Sequence, residues 1–117
     1  LWAKHSIYYD SLPSYFMGFS IWNEDNVCLS WDDTVQYFQL LGIESVPVIY
    51  DGVWDEVFFR CIHNMLDPEK DEGFVVRLAD SYHYDDFARS IAKFVREGHV
   101  QTDKHWRHQK IVPNGLK

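Results

Sequence analysis

The residues best suited to chemistry lie in Asp71-Glu72-Gly73-Phe74-Val75-Val76-Arg77-Leu78. An acidic pair and a glycine lead into a short apolar run of β-formers that ends on a cation. Glu72 stands at the head of that run, where a carboxylate can hold a divalent ion or a metal-bound water. Gly73 has no side chain, so a ligand or another strand can approach the backbone there. Arg77 lies five positions on, so period-two alternation turns it to the side opposite Glu72. The competing reading is a charged turn, Asp67 to Glu72, in front of a core strand. Two further residues share this double character. Lys93 is flanked by Ile91, Ala92, Phe94 and Val95, which either deliver its ammonium into a partly enclosed space or let its stem run along apolar surface to solvent. Phe19 is either a core ring or a ring at a cleft edge that stacks on a nucleobase, a contact worth about 1–3 kcal/mol.

Other chemistries find less support. No glycine-rich phosphate loop and no G-x-S-x-G elbow is present. Cys28 and Cys61 are too few and too far apart for a zinc site or a disulfide framework, and read as two buried thiols. His99, His105 and His108 follow no metal-ligand spacing and, with Lys104, Arg107 and Lys110, read as a solvated cationic tail.

These groups must be positioned by a chain of 117 residues, which is one domain or part of one. Apolar residues make up 46% and aromatics 17%, which supports a packed core and excludes a disordered chain. No apolar run reaches the roughly 18 residues of a membrane span. The formal charge of −7 argues against a general nucleic-acid binder with a basic face, though not against local cations in a cleft. The chain begins Leu1-Trp2-Ala3-Lys4, directly in patterned sequence without a leader, which reads as an excised fragment.

The elements follow from pattern. Tyr15 to Trp22 is a dense run with apolar residues on both faces, which predicts a central strand. Asn23 to Asn26 is a turn and Val27 to Leu29 a short return strand. Ser30 is a helix N-cap, Asp32 and Asp33 suit the first turn, Trp31, Val35, Phe38 and Leu41 share a face, and Gly42 ends the helix. Val46 to Tyr50 predicts an edge strand, because Pro47 has no N–H to donate. Trp54 to Leu66 predicts a second helix with Trp54, Val57, Phe58, Cys61, Ile62 and Met65 on one face. Asp80 to Asp86 is a loop or single helical turn. The segment from Arg89 to Arg96 is ambiguous: Phe87, Ala88, Ile91, Ala92 and Val95 fit a helix, Ile91, Phe94 and Val95 around Lys93 fit a strand, and periodicity alone leaves both open.

Taken in order, these residues resemble the ATP-dependent RNA ligases of the covalent nucleotidyltransferase superfamily. Phe19-Ser20-Ile21 looks like motif IIIa, whose phenylalanine stacks on adenine. Glu72-Gly73-Phe74-Val75-Val76-Arg77 looks like motif IV, whose glutamate serves the divalent metal. Ala92-Lys93-Phe94-Val95-Arg96 looks like motif V, whose lysine contacts the α-phosphate. Leu1-Trp2-Ala3-Lys4-His5-Ser6-Ile7 resembles the stretch after motif III. The chain departs from the family in three places. Lys70-Asp71-Glu72-Gly73 only superficially matches the K-x-D-G box of the AMP-carrying lysine, so motif I has no convincing match. The motif III glutamate would precede Leu1. Val95 stands where motif V has its second lysine, a charge that Arg96 could replace only from the other face of a strand.

The resemblance implies an α+β fold, a largely antiparallel sheet core of a nucleotidyltransferase (ATP-grasp-like) domain with two or more helices, incomplete at its N-terminus. Residues 1–117 would be the C-terminal part of the adenylyltransferase domain. It further implies ATP and Mg²⁺ (or Mn²⁺) as cofactors, RNA ends as partners, no membrane association and a cytoplasmic enzyme. Catalytic roles fall to Glu72 and Lys93, nucleotide binding to Phe19, Glu72 and Lys93, and the metal to Glu72. The fragment alone is expected to form no lysine–AMP adduct. The alternative is a non-catalytic nucleotide-binding or interaction domain.

Overall fold

A computed structural model describes residues 1–5, 7–96 and 110–117. The fold is α+β. In chain order it runs β1 (Val27–Cys28), α1 (Trp31–Leu41), α2 (Glu56–Met65), β2 (Gly73–Arg77), β3 (Tyr82–His83), a 3₁₀ turn (Tyr84–Asp86), α3 (Phe87–Ser90) and β4 (Ile91–Val95). Strands β1 and β3 pair antiparallel, with Val27 opposite His83. Strand β2 pairs with β4. At its ends the Arg96 N–H donates to the Glu72 carbonyl and the Leu78 N–H to the Ser90 carbonyl; as one index rises by six the other falls by six, the mark of an antiparallel pair.

Two compact units are present. The first comprises Leu1–Tyr15, Val53–Phe74 and Phe94–Lys117; the second comprises Phe16–Gly52 and Val75–Lys93. The division falls within β2 and β4.

In the second unit, α1 forms as its caps dictate. Ser30 Oγ accepts the Asp33 N–H at 3.2 Å. Gly42, at φ 68°, takes the left-handed conformation that lets the chain leave the helix. The buried row is Thr34 and Phe38, while Leu41 is exposed. Trp31 and Val35 of the predicted face are half-buried and Phe38 is buried, so that face stands except at Leu41; the Thr34 hydroxyl between them is satisfied by donating to the Ser30 carbonyl at 2.8 Å. The Phe38 ring closes over Gly18; a Cβ there would overlap the ring, whose Cε atoms would lie 2.8 Å away.

The two strands expected at Tyr15 to Trp22 and Val46 to Tyr50 are not strands. The first makes isolated bridges only, Gly18 to Ser45 and Trp22 to Cys28. In the second, Val46 donates to the Gly18 carbonyl at 2.9 Å, and Pro47, lacking an N–H, is followed by exposed residues to Tyr50. Both segments have strand composition but no ladder partner on either side. The ambiguous segment is strand from Ile91 to Val95 (β4), and only Arg89 and Ser90 belong to the single helical turn α3 before it.

In the first unit, α2 starts at Glu56, two residues later than expected, because Asp55 is the N-cap and its Oδ1 accepts the Phe58 N–H at 3.1 Å. Ile62 is buried, but Val57, Cys61 and Met65 of the predicted apolar face are exposed. The reading of two buried thiols is thus corrected: Cys28 is buried and Cys61 is not.

Lys110 is exposed, and beyond it the chain is tied back within the first unit. Pro113 bridges Ala3 and Leu116 bridges Leu12. Asn114 is buried and uses every polar atom. Its Oδ1 accepts the Tyr9 N–H at 3.0 Å, its Nδ2 donates to the Leu1 carbonyl at 2.8 Å, its N–H donates to the Trp2 carbonyl, and its carbonyl accepts the Tyr15 hydroxyl at 2.8 Å. Asn114→Ala leaves the Tyr9 N–H and Leu1 carbonyl without partners, at about 1–3 kcal/mol for each group stranded from water. A clearly lowered urea midpoint is the expected result, and an unchanged midpoint would refute the tie. His99, Lys104, His105, Arg107 and His108 lie outside the described residues.

Candidate functional site

Glu72 belongs to the first unit. The turn before it organises itself: Asp71 Oδ2 accepts the Asp67 N–H at 2.8 Å, Asp67 Oδ1 accepts the Glu69 N–H at 2.9 Å, and the Lys70 and Asp71 N–H groups both donate to the Asp67 carbonyl. Lys70 projects from this turn exposed to solvent. The turn delivers the chain to Glu72, whose carbonyl accepts the Arg96 N–H at 3.0 Å. The half-buried Glu72 carboxylate faces the surroundings of Tyr9. That phenol is pushed up from 10.0 to about 12 by burial first, then by the charges of Glu72 and Asp71.

The direction of that shift sets a pH dependence. Folded Tyr9 holds its proton more tightly than the unfolded chain does, so its contribution to stability is whole below pH 10 and is lost as pH rises from 10 towards 12. Tyr9→Phe should flatten the fall in melting temperature across that range. An equally steep fall in the variant would show that Tyr9 does not ionise there.

Gly73 is required for close approach. A Cβ on it would overlap the carbonyl oxygen of Phe94 and lie 3.1 Å from Val95 Cα. Beside it Phe74 stacks on Phe94 with centroids 5.1 Å apart. Arg96 follows β4, and its guanidinium donates to the Pro68 carbonyl at 2.5 Å.

Phe19 and Lys93 belong to the second unit. The Phe19 ring is 63% exposed, so it is not a core ring. Lys93 is exposed on β4. Arg77 ends β2 in a different role. It donates from Nη2 to the Leu29 carbonyl and from Nε to the Leu78 carbonyl, both at 2.8 Å, and from Nη1 to Cys28 Sγ at 3.4 Å. Its guanidinium lies 5.3 Å from the Tyr82 ring centroid and 6.0 Å from that of Trp31. Arg77 is thus a structural clamp within its unit. A hollow of about 530 Å³ in the same unit is lined by Tyr82, His83, Asp86, Arg89 and neighbours, and one of about 330 Å³ by Phe38, Gln39, Ser45 and neighbours. Neither is lined by Phe19 or Lys93.

The family model described as RNA ligase matches residues 1–95. The chain belongs to the RNA ligase family. Neither a curated protein nor a solved structure matches it. The family match takes in Phe19, Glu72 and Lys93 and stops before Arg96. Among the described residues of this RNA ligase family member, no helix is long and apolar enough to cross a membrane.

The fit of a divalent ion can be judged from the donors. Among the described residues no group of three or more His, Cys, Asp or Glu side chains is placed to cage one. Of the adjacent pair, Asp71 already spends one oxygen on its own turn, leaving Glu72 as the better donor. Sequence reasoning placed Arg77 at the end of its strand without its clamp role and did not find Tyr9 or Asn114: Tyr9 carries no pattern that separates it from neighbouring aromatics, and Pro113-Asn114-Gly115 signals only a turn.

Proposed function

We propose that the protein containing this chain is an ATP-dependent RNA ligase that joins 5′-phosphate and 3′-hydroxyl RNA ends in the cytoplasm. Its three steps are attack of a lysine on the α-phosphate of ATP, transfer of AMP to the RNA 5′-phosphate, and displacement of AMP by the 3′-hydroxyl. The observation that carries this reading is the family match across Phe19, Glu72 and Lys93. The exposed Phe19 ring is free to stack on adenine. The Lys93 ammonium offsets charge on the α-phosphate. Glu72 would hold Mg²⁺, which when bound neutralises phosphate charge. No lysine here stands in a K-x-D-G box, so the residue that takes up AMP is assigned to a part of the protein outside this stretch, and residues 1–117 are read as the C-terminal part of the adenylyltransferase domain.

The full-length protein, given ATP, Mg²⁺ and RNA with a 5′-phosphate and a 3′-hydroxyl, should yield joined RNA, and Glu72→Gln should raise the Mg²⁺ concentration needed for half-maximal joining. An ATP-dependent rise in melting temperature without any joining would instead support the second reading, a nucleotide-binding module without catalysis.

A further inference from the structure

The second unit carries an open cluster of rings that the adenylate reading does not use. Trp22 lies 6.0 Å from Tyr84 and 6.3 Å from Phe87 between ring centroids, and Tyr84 lies 5.9 Å from Phe87. On the inner side Trp22 stands edge-on to the buried Tyr82 ring at 5.6 Å. Trp22 is 37% exposed, Tyr84 62% and Phe87 41%. A single exposed ring is ordinary, but three in mutual contact form a patch that something can use.

The charges beside the patch decide what. Glu24 and Asp25 sit in the turn directly after Trp22, and the Tyr84 N–H donates to the Asn26 carbonyl at 2.8 Å, which holds that turn beside Tyr84. Asp85 and Asp86 lie between Tyr84 and Phe87. Against these four carboxylates the same segments set one arginine, Arg89, already ion-paired with Asp86. His83 stands against the Asp85 carboxylate, its Nδ1 accepting the Asp85 N–H at 3.1 Å and lying 3.4 Å from Asp85 Oδ2. A nucleic-acid strand could stack its bases here, but each phosphate would enter a negative field. A guanidinium gains from both features at once, the ring faces and the carboxylates. The unit already shows that mode inside, where Arg77 lies over Tyr82. Among the described residues no cation is recorded over Trp22, Tyr84 or Phe87.

We propose that the Trp22–Tyr84–Phe87 surface docks an arginine-bearing segment of a partner protein, with the guanidinium against Trp22 and Tyr84 and with Asp85 and Glu24 accepting its hydrogen bonds. The proposal stands apart from the ligase reaction and survives its failure.

The probe is the full-length protein with the peptide Gly-Arg-Gly-Arg-Gly-Arg-Gly, its lysine counterpart and a single-stranded RNA decamer, followed by calorimetry and by the Trp22 indole N–H resonance. Arginine peptide should bind and shift that resonance, and lysine peptide should bind more weakly. Tyr84→Ser and Asp85→Asn, both at exposed side chains, should each weaken the arginine peptide by about two- to fivefold while leaving the melting temperature unchanged. Equal binding to the wild type and both variants would overturn the proposal. So would a Trp22 shift produced by RNA and not by the peptide, which would make this an RNA surface.

Discussion

Lys93→Ala in the full-length protein is expected to slow RNA joining about 100- to 1,000-fold, the usual loss when one donor to developing transition-state charge is removed. The side chain is exposed on β4, and among the described residues no ion pair engages it, so its removal should leave the unfolding midpoint nearly unchanged. That combination separates a role at the phosphate from a role in the fold. Lys93→Arg keeps the charge but exchanges a compact ammonium for a planar fork, and should recover only part of the rate. Joining at the wild-type rate by the alanine variant would remove Lys93 from the reaction.

Gly73→Ala should have the largest effect on stability. The added methyl would overlap the Phe94 carbonyl oxygen, and Val95 Cα stands 3.1 Å away. Both are backbone, so no side chain can rotate to make room. Relief requires β2 and β4 to part at that end, with loss of the stacked Phe74 and Phe94 rings, and the cost should be about 3 kcal/mol or more. Gly42→Ala is the comparison. Nothing lies within 4 Å of a Cβ there, so the cost reduces to the positive φ, about 1–2 kcal/mol. Equal urea midpoints for the two variants would contradict this account of Gly73.

The contrast between those glycines shows what the sequence could disclose. Gly42 is legible because a helix with Ser30 at its start and two aspartates in its first turn needs an exit, and capping is local chemistry. Gly73 is half legible: its place before Phe74-Val75-Val76 signals close approach, but only the pairing of β2 with β4 names the Phe94 carbonyl as what approaches. The strands expected at Tyr15 to Trp22 and Val46 to Tyr50 fail for the same reason. Composition reports a preference for extended backbone, whereas a strand also needs a neighbour in register, which lies elsewhere in the chain. The Phe87 to Val95 segment satisfies helix and strand patterns because it contains both in succession. Asn114 was invisible because its worth comes from Leu1, Trp2, Tyr9 and Tyr15, about a hundred residues away. Of the candidate site, the residue types at Phe19, Glu72 and Lys93 were readable in order along the chain, and their exposure or half-burial was not, since each fits a core as well as a cleft.

The most direct test of the central reading follows the label of ATP carrying radioactive α-phosphate through the full-length protein in Mg²⁺. The account predicts that label appears first on the protein, then on the 5′ end of an added 5′-phosphate RNA, and leaves as AMP when a 3′-hydroxyl end is supplied and the strands join. Joining that proceeds without ATP, or with ATP but without label ever reaching protein or RNA, would contradict it.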